Sequence, residues 1–378
     1  MEALDGLRGW AVALVFLVHF CGSFALYRRG VNFDAVDDPR ALVPGNLLLY
    51  WMFYSHHGVQ IFFAISGFVI AHSFAGNRTL ADYLRFLGFR VLRIYPAFLV
   101  SLALALALFA YFNGAASIRA ITVAQNLLFL NGAFALGIPG YNFVTWSLFY
   151  EFVFYLAFPL LYLVALRSTG DPRWTAPLAW LAFLAALAFS SFREWFLFLP
   201  FFFGAWAGLL DDATRGRIAV RLPDVVLIGA YAVTTTLATF QVPLARFGEG
   251  GLTWPAAAPV TIGALAVVST LVIIRVSHGT GLIHSVLTSA PVLGLGRISF
   301  SFFLVHAIVI QAVFGLTPRE QHGSLASAAL LAVACFAVSC ASAALLYRIA
   351  EKPYYRLRRF AAQAAQARRA VRSAGKLR

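Results

Sequence analysis

Few titratable side chains lie inside the long apolar runs of this chain, and each can be weighed for chemistry. His19 follows Arg8 by eleven residues. On a helix, that spacing returns to within 20° of the same face and separates the two by about 16 Å along the axis. Arg8 could then hold an anionic group near a membrane surface while His19 works deeper, as a base for a hydroxyl near neutral pH. The plainer alternative is a core histidine bonded to a neighbouring helix. Glu151, in Thr145-Trp-Ser-Leu-Phe-Tyr-Glu, is a lone carboxylate in an apolar stretch. It could orient the His19 imidazole, act as a base itself, or pair with an arginine. Arg90 and Arg93 share a face at i and i+3 and could clamp a phosphate, or simply anchor the chain at the cytoplasmic surface. His306, preceded by Ser299 and Ser301, could line the same cavity or serve as polar glue between helices. His56, His57 and His72 have no zinc-type spacing with a supporting carboxylate, so no metal is expected.

Positioning these residues is a task for membrane helices. Of the 378 residues 61% are hydrophobic and 12% charged, with a mean hydropathy of +0.81. Soluble domains carry roughly 25% charged residues, so a soluble enzyme and a disordered chain are both excluded. The net charge of +14 does not point to nucleic acid, because the basic residues sit in short clusters between apolar runs. Cys21, Cys335 and Cys340 all lie in apolar stretches and read as packing residues. Apolar runs mark ten spans, at 9–27, 47–75, 93–112, 144–166, 175–190, 195–210, 224–240, 256–275, 298–315 and 325–349. The first run reads as a span and not as a cleaved signal. Segment 113–143 is rich in Gly, Asn and Pro and reads as a loop dipping into the membrane. With the N-terminus inside, 22 of the 29 Arg and Lys fall in cytoplasmic segments. The expected fold is therefore an all-α integral membrane protein, a polytopic bundle of about ten transmembrane helices with both termini cytoplasmic. Residues 1–355 form the membrane domain, and 356–378 a basic cytoplasmic tail suited to anionic lipid.

In this order the residues resemble the membrane acyltransferase-3 family, whose bacterial members O-acylate cell-surface glycans. The resemblance runs from Leu4 to about Tyr355. It rests on Leu4-Asp-Gly-Leu-Arg-Gly with Arg8 and His19, the Gly58-Val run ending in Ser66-Gly67-Phe68, and Arg90-x-x-Arg93. Gln125-Asn-Leu-Leu-Phe-Leu, Trp146-Ser-Leu through Glu151, Ser299 through His306, and Glu351-Lys-Pro complete the series. It implies that His19, Arg8, the paired arginines and Glu151 are needed for acyl transfer, with acyl-CoA as cytoplasmic donor. Gln60 stands where the family often has Asp, and Phe300 and Phe303 where tyrosines are common. The bland reading of Gly67 is close helix contact.

The function expected on this basis is transfer of an acyl group, by default acetyl, to a hydroxyl of an extracytoplasmic or lipid-linked glycan in the bacterial inner membrane. His19 is the general base, aided by Glu151. Arg8, Arg90 and Arg93 bind the donor, and Trp146, Ser147, Ser299 and His306 bind the acceptor. Ser66, Ser147 and Ser299 are the candidates for an acyl-serine, but no base adjoins them in sequence, which favours direct transfer. A proton-coupled transporter or flippase of a glycan or lipid-linked sugar is the alternative. Against it stands the lack of an internal repeat or paired broken helices.

Overall fold

In a computed structural model the chain is a helical bundle, described over residues 2–29, 57–76, 78–190, 192, 194–241, 246–248, 251–253, 258–317, 325–358, 360 and 363. The start of the expected second span, residues 47–56, and most of the basic tail lie outside the described residues.

The helices in chain order are α1 (Glu2–Arg29), α2 (His57–Phe74), α3 (Leu80–Asn113), α4 (Ala120–Leu127), α5 (Trp146–Thr169), α6 (Pro172–Phe189) and α7 (Leu199–Leu209). They continue with α8 (Asp212–Val220), α9 (Asp224–Gln241), α10 (Ala258–Ser277), α11 (Leu282–Leu287), α12 (Ala290–Arg297), α13 (Ser299–Leu316) and α14 (Leu325–Leu346). A two-stranded antiparallel hairpin pairs Arg246–Gly248 with Gly251–Thr253 between α9 and α10. Among the described residues, seven helices are long and apolar enough to cross a membrane. An eighth span is possible if α7 and α8, bent by 111° at their junction, are taken with the preceding turn as one broken span. The helices α6 and α9 occupy two further stretches read as spans but are not among those seven.

The third helix begins thirteen residues before the span read from hydropathy, because Thr79 and Asp82 form a capping box. The Thr79 hydroxyl accepts from the Asp82 N–H at 3.1 Å, and Asp82 accepts from the Thr79 N–H at 3.1 Å. Thirty-four residues make α3 about 51 Å long, well beyond a ~30 Å hydrocarbon core. Arg90 and Arg93 therefore sit inside a continuous helix and not at its frayed start.

Small residues let two helix pairs touch backbone to backbone. A Cβ on Gly67 of α2 would strike the Phe201 carbonyl of α7, and one on Gly204 would strike the Ala64 carbonyl in return. The close-contact reading of Gly67 is thus what the structure contains. The same device joins α1 to α12, where Gly296 lies against the Asp5 carbonyl. Between α3 and α5 the chain runs through α4 and short 3₁₀ turns, as an irregular segment needs to. Asn126 staples it, donating to the Thr122 and Pro139 carbonyls at 2.9 Å each and accepting from the Tyr141 N–H at 3.1 Å.

Candidate active site

Two histidines distant in sequence meet in the core. His19 Nδ1 and His306 Nε2 are 2.8 Å apart, with the two ring planes within 17° of each other and the centroids 5.1 Å apart, an edge-to-edge pair. His306 is fully buried, and its Nδ1 lies 3.1 Å from the Phe302 carbonyl oxygen. A carbonyl can only accept, so the His306 proton is on Nδ1. Neutral His306 then presents a lone pair at Nε2, and His19 must donate its Nδ1–H to it. The lone pair of neutral His19 is consequently on Nε2, the tautomer a general base requires. Protonation at Nε2 leaves the Nδ1–H bond intact. The Phe143 ring meets His19 edge-on at 5.0 Å and further limits its rotation.

A cavity of about 70 Å³ lies on the Arg8 side of this pair. Arg8, Arg90, Arg93, Glu151, Ser66, Ser147 and Ser299 all line it. Along α2 it extends from Val59 to Ile70, about 16 Å of helix axis. Gly58, next to its upper end, packs on Ala11 and Val15, one helical turn from His19. Phe303 joins the two regions, since it lines the cavity and its ring centroid is 6.0 Å from that of His306. The space suits a handful of water molecules.

The charged wall is internally compensated. Arg8 pairs with Asp5 at 2.5 Å. The Arg90 guanidinium lies over the Phe86 and Tyr155 rings, 4.9 and 5.2 Å from their centroids. Arg93 interacts electrostatically with Glu151 and Glu351. Glu151 accepts from the Ser66 hydroxyl at 3.0 Å and also from the Tyr155 hydroxyl. The orienting bond to His19 that was open to Glu151 comes instead from His306, and the described bonds of Glu151 serve the arginine wall. His306, read as a substrate ligand, is in contact with His19. Ser147 donates weakly to the Val144 carbonyl at 3.4 Å. Trp146 packs among Phe63, Phe134 and Tyr150, with centroids at 6.4, 5.4 and 5.7 Å.

A family described as an acyltransferase domain matches residues 1–348. The chain belongs to that family. It is 26% identical over 384 aligned residues to "Acyltransferase MdmB" of Streptomyces mycarofaciens, covering 94% of this chain and 92% of the relative. It is also 32% identical over 170 residues to "Protein 2 in picA locus" of Rhizobium radiobacter, covering 40% of this chain and 76% of that one. No solved structure matches it.

Some features of this site escape sequence reasoning. The Phe302 carbonyl that fixes the tautomer is a backbone atom with no sequence signature. Ser66 has an acidic neighbour after all, Glu151, supplied from another helix. Glu351 reaches Ser301 on the neighbouring helix, a contact that the Glu-Lys-Pro motif does not reveal.

Proposed function

We propose that this membrane acyltransferase moves an acyl group, acetyl by family resemblance, from acyl-CoA to a hydroxyl of an extracytoplasmic or lipid-linked glycan. In this reading it sits in the bacterial inner membrane with about ten spans and both termini cytoplasmic, as the distribution of Arg and Lys supports. The observation that carries the mechanism is the His19–His306–Phe302 relay, which leaves a lone pair on His19 Nε2. His19 takes the proton of the acceptor hydroxyl as the oxygen attacks the acyl carbon, the thioester C–S bond breaks, and the departing CoA sulfur takes that proton back from His19 to leave as the thiol. His306 holds the imidazole in place and stabilises the imidazolium through the Nδ1–H bond.

Arg8, Arg90 and Arg93 would hold the CoA phosphates, for which guanidinium forks are chemically suited. CoA supplies the acyl group as a thioester. Arg8 and His19 are offset by the 16 Å that the α1 spacing sets, which separates the Arg8 grip on the donor from the reacting hydroxyl. Glu151 acts within the arginine wall, and its bond to Ser66 orders that wall.

The test is transfer of labelled acetyl from acetyl-CoA into membrane glycans. Membranes carrying wild type, His19→Ala or no protein are compared. Label only with wild type, while His19→Ala is present and folded in the membrane, is the expected outcome. Normal product from His19→Ala would sink the mechanism, and equal label in all three would sink the transferase reading in favour of a carrier.

A further inference from the structure

Glu351 has no part in the chemistry above, yet its placement is specific. Its carboxylate is 2% exposed and accepts both the Ser301 N–H at 3.1 Å and the Ser301 hydroxyl at 2.5 Å. Ser301 is the third residue of α13, so its N–H is one of those left without an intrahelical acceptor. Glu351 therefore caps a neighbouring helix, and its charge sits at that helix's positive end. It is delivered there by a π-helical turn over Tyr347–Glu351. Both Arg93 and Arg8 lie within its electrostatic reach. The helix it caps starts with Ser299 in the cavity wall and carries His306 two turns further on.

We propose that Glu351 is a positioning residue that sets donor affinity, an internal counter-anion competing with the donor's phosphates for Arg93. This rests on the reading of acyl-CoA as donor. The physical reason is turnover. Released CoA carries the same phosphates as acyl-CoA, so a grip on them is uniform binding that slows product release without lowering the chemical barrier. Arg8 pairs with Asp5, and Arg93 interacts electrostatically with both Glu151 and Glu351. Loss of one of these negative charges leaves the wall more attractive to phosphate.

The experiment measures binding of free CoA to the full chain in detergent by isothermal titration. Glu351→Gln keeps an oxygen for the Ser301 N–H and removes the charge. Its Kd for CoA is expected to fall about fivefold, the lower end of ordinary coupling between sites, with a steeper dependence on salt. Ser301→Ala removes the competing hydroxyl bond, leaves the carboxylate to Arg93, and is expected to raise the Kd about twofold. A merely structural role does not give opposite signs. Wild type that binds CoA with an unchanged or weaker Kd in Glu351→Gln overturns the inference while leaving the donor reading in place. Wild type that does not bind CoA overturns the donor reading and the inference together. If Glu351→Gln is not recovered folded, Ser301→Ala decides, and an unchanged Kd there is also refuting.

Discussion

Replacing His306 by alanine tests the relay directly. His19 Nδ1 then loses its acceptor at 2.8 Å, and the Phe302 carbonyl loses the proton that fixed the tautomer. Two losses combine. A hydrogen bond to a neutral group contributes about 1 kcal/mol, and one to a charged group about 1.5–3 kcal/mol. The His19–His306 bond passes from the first class to the second as His19 takes its proton. The gain specific to the transition state is thus about 1.4 kcal/mol, or about tenfold in rate. Loss of tautomer and orientation erodes the general-base contribution, which is about 10²–10⁴-fold in all. We expect kcat to fall about 10²-fold, with CoA binding unchanged because the arginines are untouched. His306→Gln, whose amide oxygen can accept the Nδ1–H, should recover part of the loss. The assay is acetyl transfer in membranes alongside CoA titration in detergent. A His306→Ala protein with wild-type kcat would refute the relay, and so would one that lost CoA affinity and not rate.

Arg90→Lys keeps the charge but loses the fork and the stacking on Phe86 and Tyr155. The KM for acyl-CoA should rise about fivefold, consistent with a cation–π contribution of about 1 kcal/mol, as steady-state kinetics would show. Two glycine substitutions should have opposite effects on thermal stability in detergent. Gly204→Val puts a side chain on the Ala64 carbonyl and should cost about 3 kcal/mol or prevent folding. Gly88→Ala, with nothing within 4 Å of the new Cβ, should gain about 0.5–1 kcal/mol from helix propensity.

Much of the helical architecture is legible because membrane helices are written in composition. Apolar runs, Gly and Pro breaks and arginine clusters each have a direct physical cause. The start of α3 is not legible from hydropathy, which reports the apolar part of a helix, whereas its beginning is set by Thr79 and Asp82, polar residues outside the apolar run. Within the site, Arg8 and His19 are tied by helical periodicity and could be placed relative to each other from spacing alone. His306 lies 287 residues from His19, and no local pattern specifies which ring of the last helices turns toward which ring of the first. Glu151 illustrates the same limit in reverse. Its need for partners was evident from its apolar setting, but the choice among His19, an arginine and a hydroxyl is made by which faces of α2, α3 and α5 meet. Polar residues in a membrane bundle thus announce that they have partners without naming them.

If His19 is the base proposed above, its distance from Arg8 along α1 suits the same electrostatics. A base that must become an imidazolium is opposed by every nearby guanidinium. At an effective dielectric of about 20, one unit charge at about 5 Å opposes it by about 3 kcal/mol, and at about 16 Å by about 1 kcal/mol. A histidine placed among Arg8, Arg90 and Arg93 would meet several such terms at once. Moving it three helical turns along α1 removes most of that opposition. Asp5, Glu151 and Glu351 offset much of the remainder. The imidazole is then left to a neutral partner, His306, whose lone pair can stabilise the added proton without drawing the arginines toward a fixed negative charge. A carboxylate at position 306 would orient His19 equally well, but it would also be a buried anion beside apolar rings, with no cation described in contact. Neutral histidine orients the base without that desolvation cost.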